Sequence, residues 1–482
     1  MAGSFGTIQV AASGMYTSQA ALNVCSSNVS NSGVSGYTRR AAVFSDTTGY
    51  SVYTSTGSVS ATGSGTDMSQ VQQIRDQFLD ASYRKENGLS GYWDYMSGVT
   101  SQLDTLDGYG DDSGLETTTE TFFNDWTEAS KSPEDSSTRS QVIEAGNNLA
   151  DSLNTMSQSL DTIRTQTQSD LKSGIDSVND IAKQLVDLNT KIQKTTASGG
   201  DASDLMDSRN TLLDKLSSYG NIVGRSLDNG GYEVYLGGQM LVGESGAQTI
   251  SAKTDSAGTM SVVWDASGSA VSLKSGSLEA QVELLAPYTG EVGSFDTGRT
   301  GLLDAYQKTV DTYASALVSA VNTAHSASYD LNGTNGVSFF TAEDSSKTLT
   351  AGNLKVNDVM DDPDCLACSE TGSVGDGNGA LGISKILDTT ALTTTSGTVT
   401  FSDFFQSLTQ WTGFVDEAAS GGSDTQTATT NQLSTQRDSL TTVSLDEEMT
   451  RMIAYQEAYS ANAQVMSTIS DLLDQVINNM KS

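Results

Sequence analysis

Histidine is almost missing from this 482-residue chain: His325 stands alone, beside only three cysteines, Cys25, Cys365 and Cys368. Histidine titrates near neutral pH and shares with cysteine most of the work of binding catalytic metals, so ordinary hydrolase and zinc chemistry lacks its usual residues. Proline is equally scarce, at Pro133, Pro287 and Pro363. Because proline breaks helix interiors, very long uninterrupted helices are permitted. Positive charge is short too: 25 Lys and Arg stand against 59 Asp and Glu, a net charge of −34. So acidic a surface repels phosphate backbones and excludes nucleic acid as a partner. No run of about 18 apolar residues occurs, which excludes insertion into a membrane as a helix. Nothing basic precedes Arg39, unlike the n-region of a Sec-type signal peptide, and three cysteines do not make a disulfide scaffold.

Residues able to build a core are present. Hydrophobic residues make up 36%, and 46 glycines bring the apolar share to the range of about 45–50% found in globular proteins. At about 150 residues per domain the length predicts several domains. Near the N-terminus, Phe5, Ile8, Ala12, Met15, Gln19, Leu22, Ser26 and Val29 alternate spacings of three and four, the seam of a coiled coil. Leu445, Met449, Met452, Gln456, Tyr459, Ala463, Met466, Ser470, Leu473, Ile477 and Met480 repeat that spacing at the C-terminus, behind a Ser444-x-x-Glu447 capping box. Two terminal stripes separated by some 400 residues are expected to pair, so that the chain begins and ends in one rod. Such helices order only on finding each other or a neighbouring subunit. Non-closing contacts between such subunits give tubes or filaments.

The expected fold class is a multidomain α + β protein: paired N- and C-terminal helices forming a coiled-coil rod domain, a long helical middle domain, and outer β-rich domains. Residues 1–110 and 426–482 are assigned to the terminal domain, with weak hairpin signals up to Thr66 and helical periodicity resuming at Val71, Ile74, Phe78 and Leu79. Residues 111–221 and 277–340 form the middle domain. There Ser132-Pro133-Glu134-Asp135 reads as a helix start with Ser132 as cap, and one helix is predicted from Thr138 to Thr196, about 90 Å long. Gly199-Gly200 ends it before a returning stripe of Leu205, Leu212, Leu213 and Leu216. Alternation in Tyr232, Val234 and Leu236, with Val262–Trp264 and Val271–Leu273, predicts a small β domain over 222–276. Helical pattern resumes near Phe295. Residues 341–425 read as an outer β-rich or irregular domain with a return helix through Phe404, Leu408, Trp411 and Phe414.

The chemical candidates each have a plain structural reading. Cys365-Leu-Ala-Cys368 has the spacing of half a zinc site, but Cys25 and His325 lie far away in sequence, so two loop thiols or one local disulfide is the reading. The acidic stretches Asp107–Asp112 and Asp358–Asp364 offer carboxylates for calcium but lack the EF-hand pattern, and in a chain of −34 clustered acids are expected. No nucleophile elbow, Walker A or zinc-protease motif occurs. No catalytic residue, metal site or cofactor is expected.

Both ends then become recognisable. Ser13-Gly14-Met15, Gln19-Ala20-Ala21-Leu22-Asn23, Ser27-Asn28-Val29-Ser30-Asn31 and Gly36-Tyr37-Thr38-Arg39 resemble the N-terminal signature of bacterial flagellar rod, hook and hook-associated proteins. Leu445-Asp446-Glu447-Glu448, Tyr455-Gln456, Ala458-Tyr459 and Ala461–Val465 resemble their C-terminal signature. Inside the chain, Phe122-Phe123, Trp126, Ser132–Asp135, Leu205–Arg209, Val234–Gln239, Gly276-Ser277-Leu278 and Tyr329–Gly333 narrow the resemblance to the hook-associated protein 1 family. Ser35 stands where the family often has Pro, and Asn210 where it usually has Asp.

The resemblance implies a structural subunit of the extracellular flagellum, exported unfolded by the type III route and self-assembling as a ring at the junction of hook and filament. It implies three partners: the hook protein, a second junction protein, and a cytosolic export chaperone on the C-terminal helix. The expected assembly interface is Ile8, Met15, Leu22 and Val29 against Leu445, Met449, Met452, Gln456, Tyr459, Met466, Leu473 and Ile477. Another axial subunit such as a hook-type protein, or a secreted acidic surface protein or adhesin, are the alternatives.

Overall fold

The computed structural model describes residues 2–47, 51–53, 59–61, 65–106, 114–255, 258–290, 300–344, 346–394 and 397–481. Helix α1 (Ala2–Asn31) leads into two hairpins, β1 (Arg40–Asp46) with β4 (Thr66–Gln73) and β2 (Ser51–Tyr53) with β3 (Val59–Ala61). Val71, read from sequence as the start of a helix, lies in β4; α2 (Gln77–Leu106) begins only after Asp76, whose side chain accepts from the Phe78 and Leu79 amides. Next come α3 (Leu115–Lys131), α4 (Ser136–Ala197) and α5 (Ser203–Ser217).

A β body follows, with β5 (Ile222–Ser226), β6 (Tyr232–Leu236), β7 (Gln239–Gly243) and β8 (Gly246–Ala247) as one antiparallel sheet in chain order. The pair β9 (Ile250–Thr254) and β10 (Met260–Trp264) stands beside it. Residues 271–273 add no strand: Ala270 makes a single bridge to Val263, and the chain turns into α6 (Ser277–Leu285). Then α7 (Leu302–Ala327) runs to the short pair β11 (Phe340–Ala342) and β12 (Leu354–Val356). After α8 (Asn378–Ser384) comes the pair β13 (Thr390–Thr394) and β14 (Gly397–Thr400), and the chain closes with α9 (Phe401–Thr441) and α10 (Leu445–Lys481).

The long middle helix spans 62 residues, about 93 Å at ~1.5 Å per residue. Its cap is Asp135, whose carboxylate accepts from the Ser137 amide, while Ser132 instead ends α3. Reading Ser132 as the cap missed that Pro133 and Glu134 lie in the connecting turn. One face of α4 serves two cores in succession. Val142, Leu149, Leu153, Met156, Leu160 and Ile163 enter the first, with Phe122, Trp126, Tyr306, Leu317 and Phe339. Leu171, Ile175, Val178, Ile181 and Leu185 enter the second, under Leu236, Val242, Val262 and Trp264 of the β body. Gly146 gives Phe339 its room, since a Cβ there would sit 2.7 Å from the ring. Residues 341–425 do not form a core of their own: Leu354, Met360, Ile383, Phe401, Phe404, Leu408 and Trp411 belong to the first core. A stretch so rich in Gly, Thr and Asp hides how few, well-placed apolar side chains suffice to dock it.

His325 is fully buried and ties this stretch to α7. Its Nδ1 donates to the Val337 carbonyl at 2.5 Å, and its Nε2 accepts from the Ala367 amide at 2.9 Å, an arrangement that requires the neutral ring. Arg139, also buried, donates to the carbonyls of Pro133, Pro363 and Leu366 and holds the same loop from α4. Cys365 and Cys368 are free thiols in that loop, and burial pushes Cys368 up to about 11. In the Asp358–Asp364 stretch, Asp362 caps its own short turn and Asp358 pairs with Lys355; the Asp107–Asp112 stretch lies outside the described residues. Among the described residues no cluster of three or more His, Cys, Asp or Glu is placed to hold a metal, and no helix is long and apolar enough to cross a membrane.

Burial pushes the His325 imidazole down to about 4, against an ordinary value of about 6.5. The folded state therefore binds this proton later than the unfolded state does. Stability tied to His325 is complete above about pH 6.5 and is lost as pH falls toward 4, of order 3 kcal/mol. His325→Gln is expected to be less stable than wild type at pH 7.5 and to close that gap by pH 4.5, checked by thermal melts followed through tryptophan fluorescence.

Candidate assembly interface

Helices α1 and α10 lie antiparallel. A Cβ on Gly14 would sit 2.6 Å from the Asn462 amide group, and the Asn28 amide donates to Glu448 Oε2 at 2.9 Å. Those two contacts are fourteen residues apart on both helices, two heptads, so one register holds along the pair. The buried residues of α1 are small or polar: Ala11, Thr17, Ser18, Ala21, Cys25 and Asn28. Small side chains let helix backbones approach closely, which a pattern of large apolar residues does not reveal.

Ile8, Met15, Leu22 and Val29, the stripe read from sequence, are half-buried and flank this small-residue seam. On α10, Met452, Tyr459, Met466 and Leu473 are half-buried, and the second row of the seam is Glu448, Tyr455, Asn462 and Ile469. That row stands one residue earlier than the expected Met449, Gln456, Ala463 and Ser470. The shift follows from polar anchors: Glu448 and Asn462 are drawn inward by hydrogen bonding and close packing, which carries their neighbours outward. Leu445 is 49% and Met449 58% exposed, and Gln456 is exposed. Ile453, Val465, Leu472 and Val476 are exposed as well. The Ile477 side chain lies outside the described residues. Phe44 of β1 meets Tyr455 edge-on at 6.2 Å, so the hairpin covers one flank of α10.

A polar network closes the base of this pair. Arg39 pairs with Glu448 at 2.9 Å and Glu447 at 2.6 Å, and its amide donates to the Thr441 carbonyl. Asn28 Oδ1 accepts from the Arg40 amide and from Tyr37 Oη. Glu448 is 1% exposed, and Cys25 beside it is pushed up to about 11 by burial first and by this carboxylate second. Arg40 turns the other way, into α5, where it pairs with Asp204 and lies 3.5 Å from Asp207 and 3.8 Å from Asp201. The Thr38 amide and Gln73 also donate to Asp207.

Beneath them Arg75 grips Asp80, Arg84 grips Asp214, and Arg437 of α9 reaches both acids. Burial opposes the Asp80 carboxylate, but the hydrogen bonds and charge of Arg75, backed by Arg84 and Arg437, hold it below the usual range. Asn210, the departure from the family pattern, still accepts from Arg84 at 3.2 Å. Arg209 stacks over Tyr232 and donates to the Gly230 carbonyl, tying α5 to the β body. Sequence reasoning quoted Tyr37, Thr38, Arg39, Asp207, Arg209, Glu447 and Glu448 as motif residues without finding their common purpose. The signal was there as paired signs: the two arginines after Thr38, and carboxylates at motif positions far along the chain.

Similarity to known proteins agrees with this layout. The chain matches the family model described as the flagellar hook-associated protein FlgK helical domain over residues 100–340. Its ends match the flagella basal body rod protein model over 8–38 and the flagellar basal body rod FlgEFG protein C-terminal model over 439–480. Flagellar hook-associated protein 1 of Bacillus subtilis (strain 168) is 29% identical, aligned over 100% of this chain and 99% of its own. That of Escherichia coli (strain K12) is 26% identical over 98% and 99%. The solved structure of the flagellar hook junction protein FlgK from Burkholderia pseudomallei has the same fold, with a TM-score of 0.62 at 14% identity, covering 75% of this chain and 100% of that one. With half of its length inside one family model and both terminal segments inside flagellar rod models, the chain belongs to the flagellar hook-associated protein FlgK family of structural proteins.

Proposed function

We propose that copies of this chain build the junction between the flagellar hook and filament, held in a ring or helical array by their terminal helices, with the hook protein on one side and a second junction protein on the other. The observation that carries the reading is that α10 holds more apolar surface than α1 covers. Leu445, Met449 and Ile453 near its start, and Val465, Leu472 and Val476 further on, remain outside the pair. Exposed rows of that kind on a regular helix fit neighbouring helices of other subunits. Ile8, Met15, Leu22 and Val29 add a half-covered flank on α1. Helix α1 carries no charged residue, so copies can be brought together there without repulsion although each chain bears −34. The middle helices and the β body face outward from such a tube. Export through the flagellar type III channel, with a cytosolic chaperone covering the apolar faces of α10 until delivery, completes the reading and places the assembled protein outside the cell.

Deleting the gene in its source bacterium tests this directly: hooks without filaments in electron micrographs, with monomeric flagellin lost to the medium, are expected. Normal filaments overturn the reading. In the complemented strain, Leu472→Asp is expected to abolish filament attachment while the secreted monomer keeps its helicity, because the side chain lies outside the α1–α10 pair. Gly14→Val acts inside the pair: overpacking against Asn462 is expected to cost about 1–3 kcal/mol, read as faster amide exchange across α1 and α10 with the tryptophan-reported melt of the middle cores unchanged.

A further inference from the structure

The module made of α1, β1–β4 and α10 contributes no described residue to either hydrophobic core. It is joined to the rest by the continuations of α2 and α9 and by polar contacts of side chains and main chain. Beside that joint lies a cavity of about 380 Å³, lined by the Ser32–Thr38 turn, Arg75, Asn210, Asp214, Arg437 and the turn at 441–443. Apolar burial is non-directional and fills space; here space is left open, and orientation rests on hydrogen-bonded ion pairs, which are directional.

From this we infer that the dipeptide Arg39-Arg40 is a two-sided clasp that sets the angle between the terminal helix pair and the middle body. Extended backbone sends consecutive side chains to opposite sides, and β1 starts at Arg40. Arg39 therefore reaches Glu447 and Glu448 on α10, while Arg40 reaches Asp201, Asp204 and Asp207 at α5. One dipeptide thus grips the rod with one fork and the body with the other. Main-chain contacts lock the same point from both sides: the Arg39 amide on the Thr441 carbonyl and the Thr38 amide on Asp207. Glu448 is the clearest sign of the device. It is buried on α10 while Leu445 and Met449 of the same turn stay exposed, so the helix gives its inward position to a carboxylate that Arg39 and Asn28 hold. In an array of identical subunits that angle sets how the outer body meets its neighbours. Arg39 and Arg40 are positioning residues for assembly; the inference rests on the reading of the chain as an assembling junction subunit.

The test uses the full-length chain with Cys365→Ser, leaving Cys25 and Cys368 buried, and spin labels at Glu457→Cys on α10 and Lys215→Cys on α5, both exposed. Double electron–electron resonance on the parent is expected to give one narrow distance. Arg39→Ala with Arg40→Ala is expected to broaden it at least twofold, and 1 M salt on the parent to broaden it partly. Trp93, Trp126, Trp264 and Trp411, all outside the terminal module, keep their fluorescence and melting profile. Arg40→Lys keeps the charge without the fork and falls between parent and double variant. A narrow, unshifted distance in the double variant overturns the clasp. The unlabelled double variant, placed in the deletion strain, separates the two readings: loss of filament attachment together with a broadened distance supports the clasp, and normal attachment despite a broadened distance overturns its role in assembly. Normal filaments in the deletion strain itself overturn the junction reading instead.

Discussion

Both ends of the chain have to come back to one place. Because α1 and α10 pair in a single antiparallel register, every segment between them must travel out and return. The fold meets that constraint with helical hairpins: α2 leaves and α9 returns along it, with Thr100 bonded to Asp416 and Gln426 to Glu86. Beyond them α4 carries the chain outward to the β body, and α6 and α7 bring it back toward the first core. The bulky apolar side chains are concentrated in the outgoing and returning helices, and the terminal pair is left with small residues, polar anchors and uncovered stripes. A subunit built this way is complete in its middle and incomplete at its ends, which is the distribution an assembling protein requires.

Legibility in the sequence followed the size of the signal. Helix α4 could be placed to within two residues at its start and one at its end because thirteen large apolar residues mark one face and Gly199-Gly200 marks the finish. Strand β6 was readable from Tyr232, Val234 and Leu236. The α10 seam was half readable: Met452, Tyr459, Met466 and Leu473 stand where the spacing puts them, whereas the other row is Glu448, Tyr455, Asn462 and Ile469. A period count weights methionine above glutamate and cannot know that Arg39, some 400 residues earlier, makes the glutamate the better inward residue. On α1 the inward face is Ala11, Thr17, Ser18, Ala21 and Cys25, residues whose value is their smallness, with Asn28 as a polar anchor. Hydrophobicity is blind to it. The docking of the stretch before α9 was hidden for a related reason, since burial there is achieved by single residues such as Leu354 and Met360 between turns, without a regular period.

Charge is distributed with the same economy of position. Most arginines are turned inward: Arg39, Arg40, Arg75, Arg84, Arg139, Arg209 and Arg437 are all at most 17% exposed. Five of them, Arg39, Arg40, Arg75, Arg84 and Arg437, sit around the joint between the terminal pair, α5 and α9, where their planar forks grip carboxylates that include the buried Glu448, Asp80 and Asp207. Arg139 grips carbonyls within the first core. The arginines of the joint face carboxylates that are themselves turned inward, such as Asp80, Asp207, Asp214 and Glu448, so the exterior keeps nearly the whole of the net −34. In the proposed array, repulsion between neighbouring subunits is weakest along the uncharged α1, which favours contact there over clumping elsewhere.

One consequence of α4 is mechanical. A single helix serves both cores, with no proline along it and unbroken helical backbone from Ser136 to Ala197. For the β body to swing against the first core, several consecutive helical hydrogen bonds would have to open together between Ile163 and Leu171, where one set of core residues gives way to the other. The two bodies therefore behave as one stiff lever. A sideways load on the outer tip, such as viscous drag on a turning propeller, cannot be absorbed along its length. It is delivered to the base as torque, where the cavity beside the joint and the cluster of ion pairs made by Arg39, Arg40, Arg75, Arg84 and Arg437 meet.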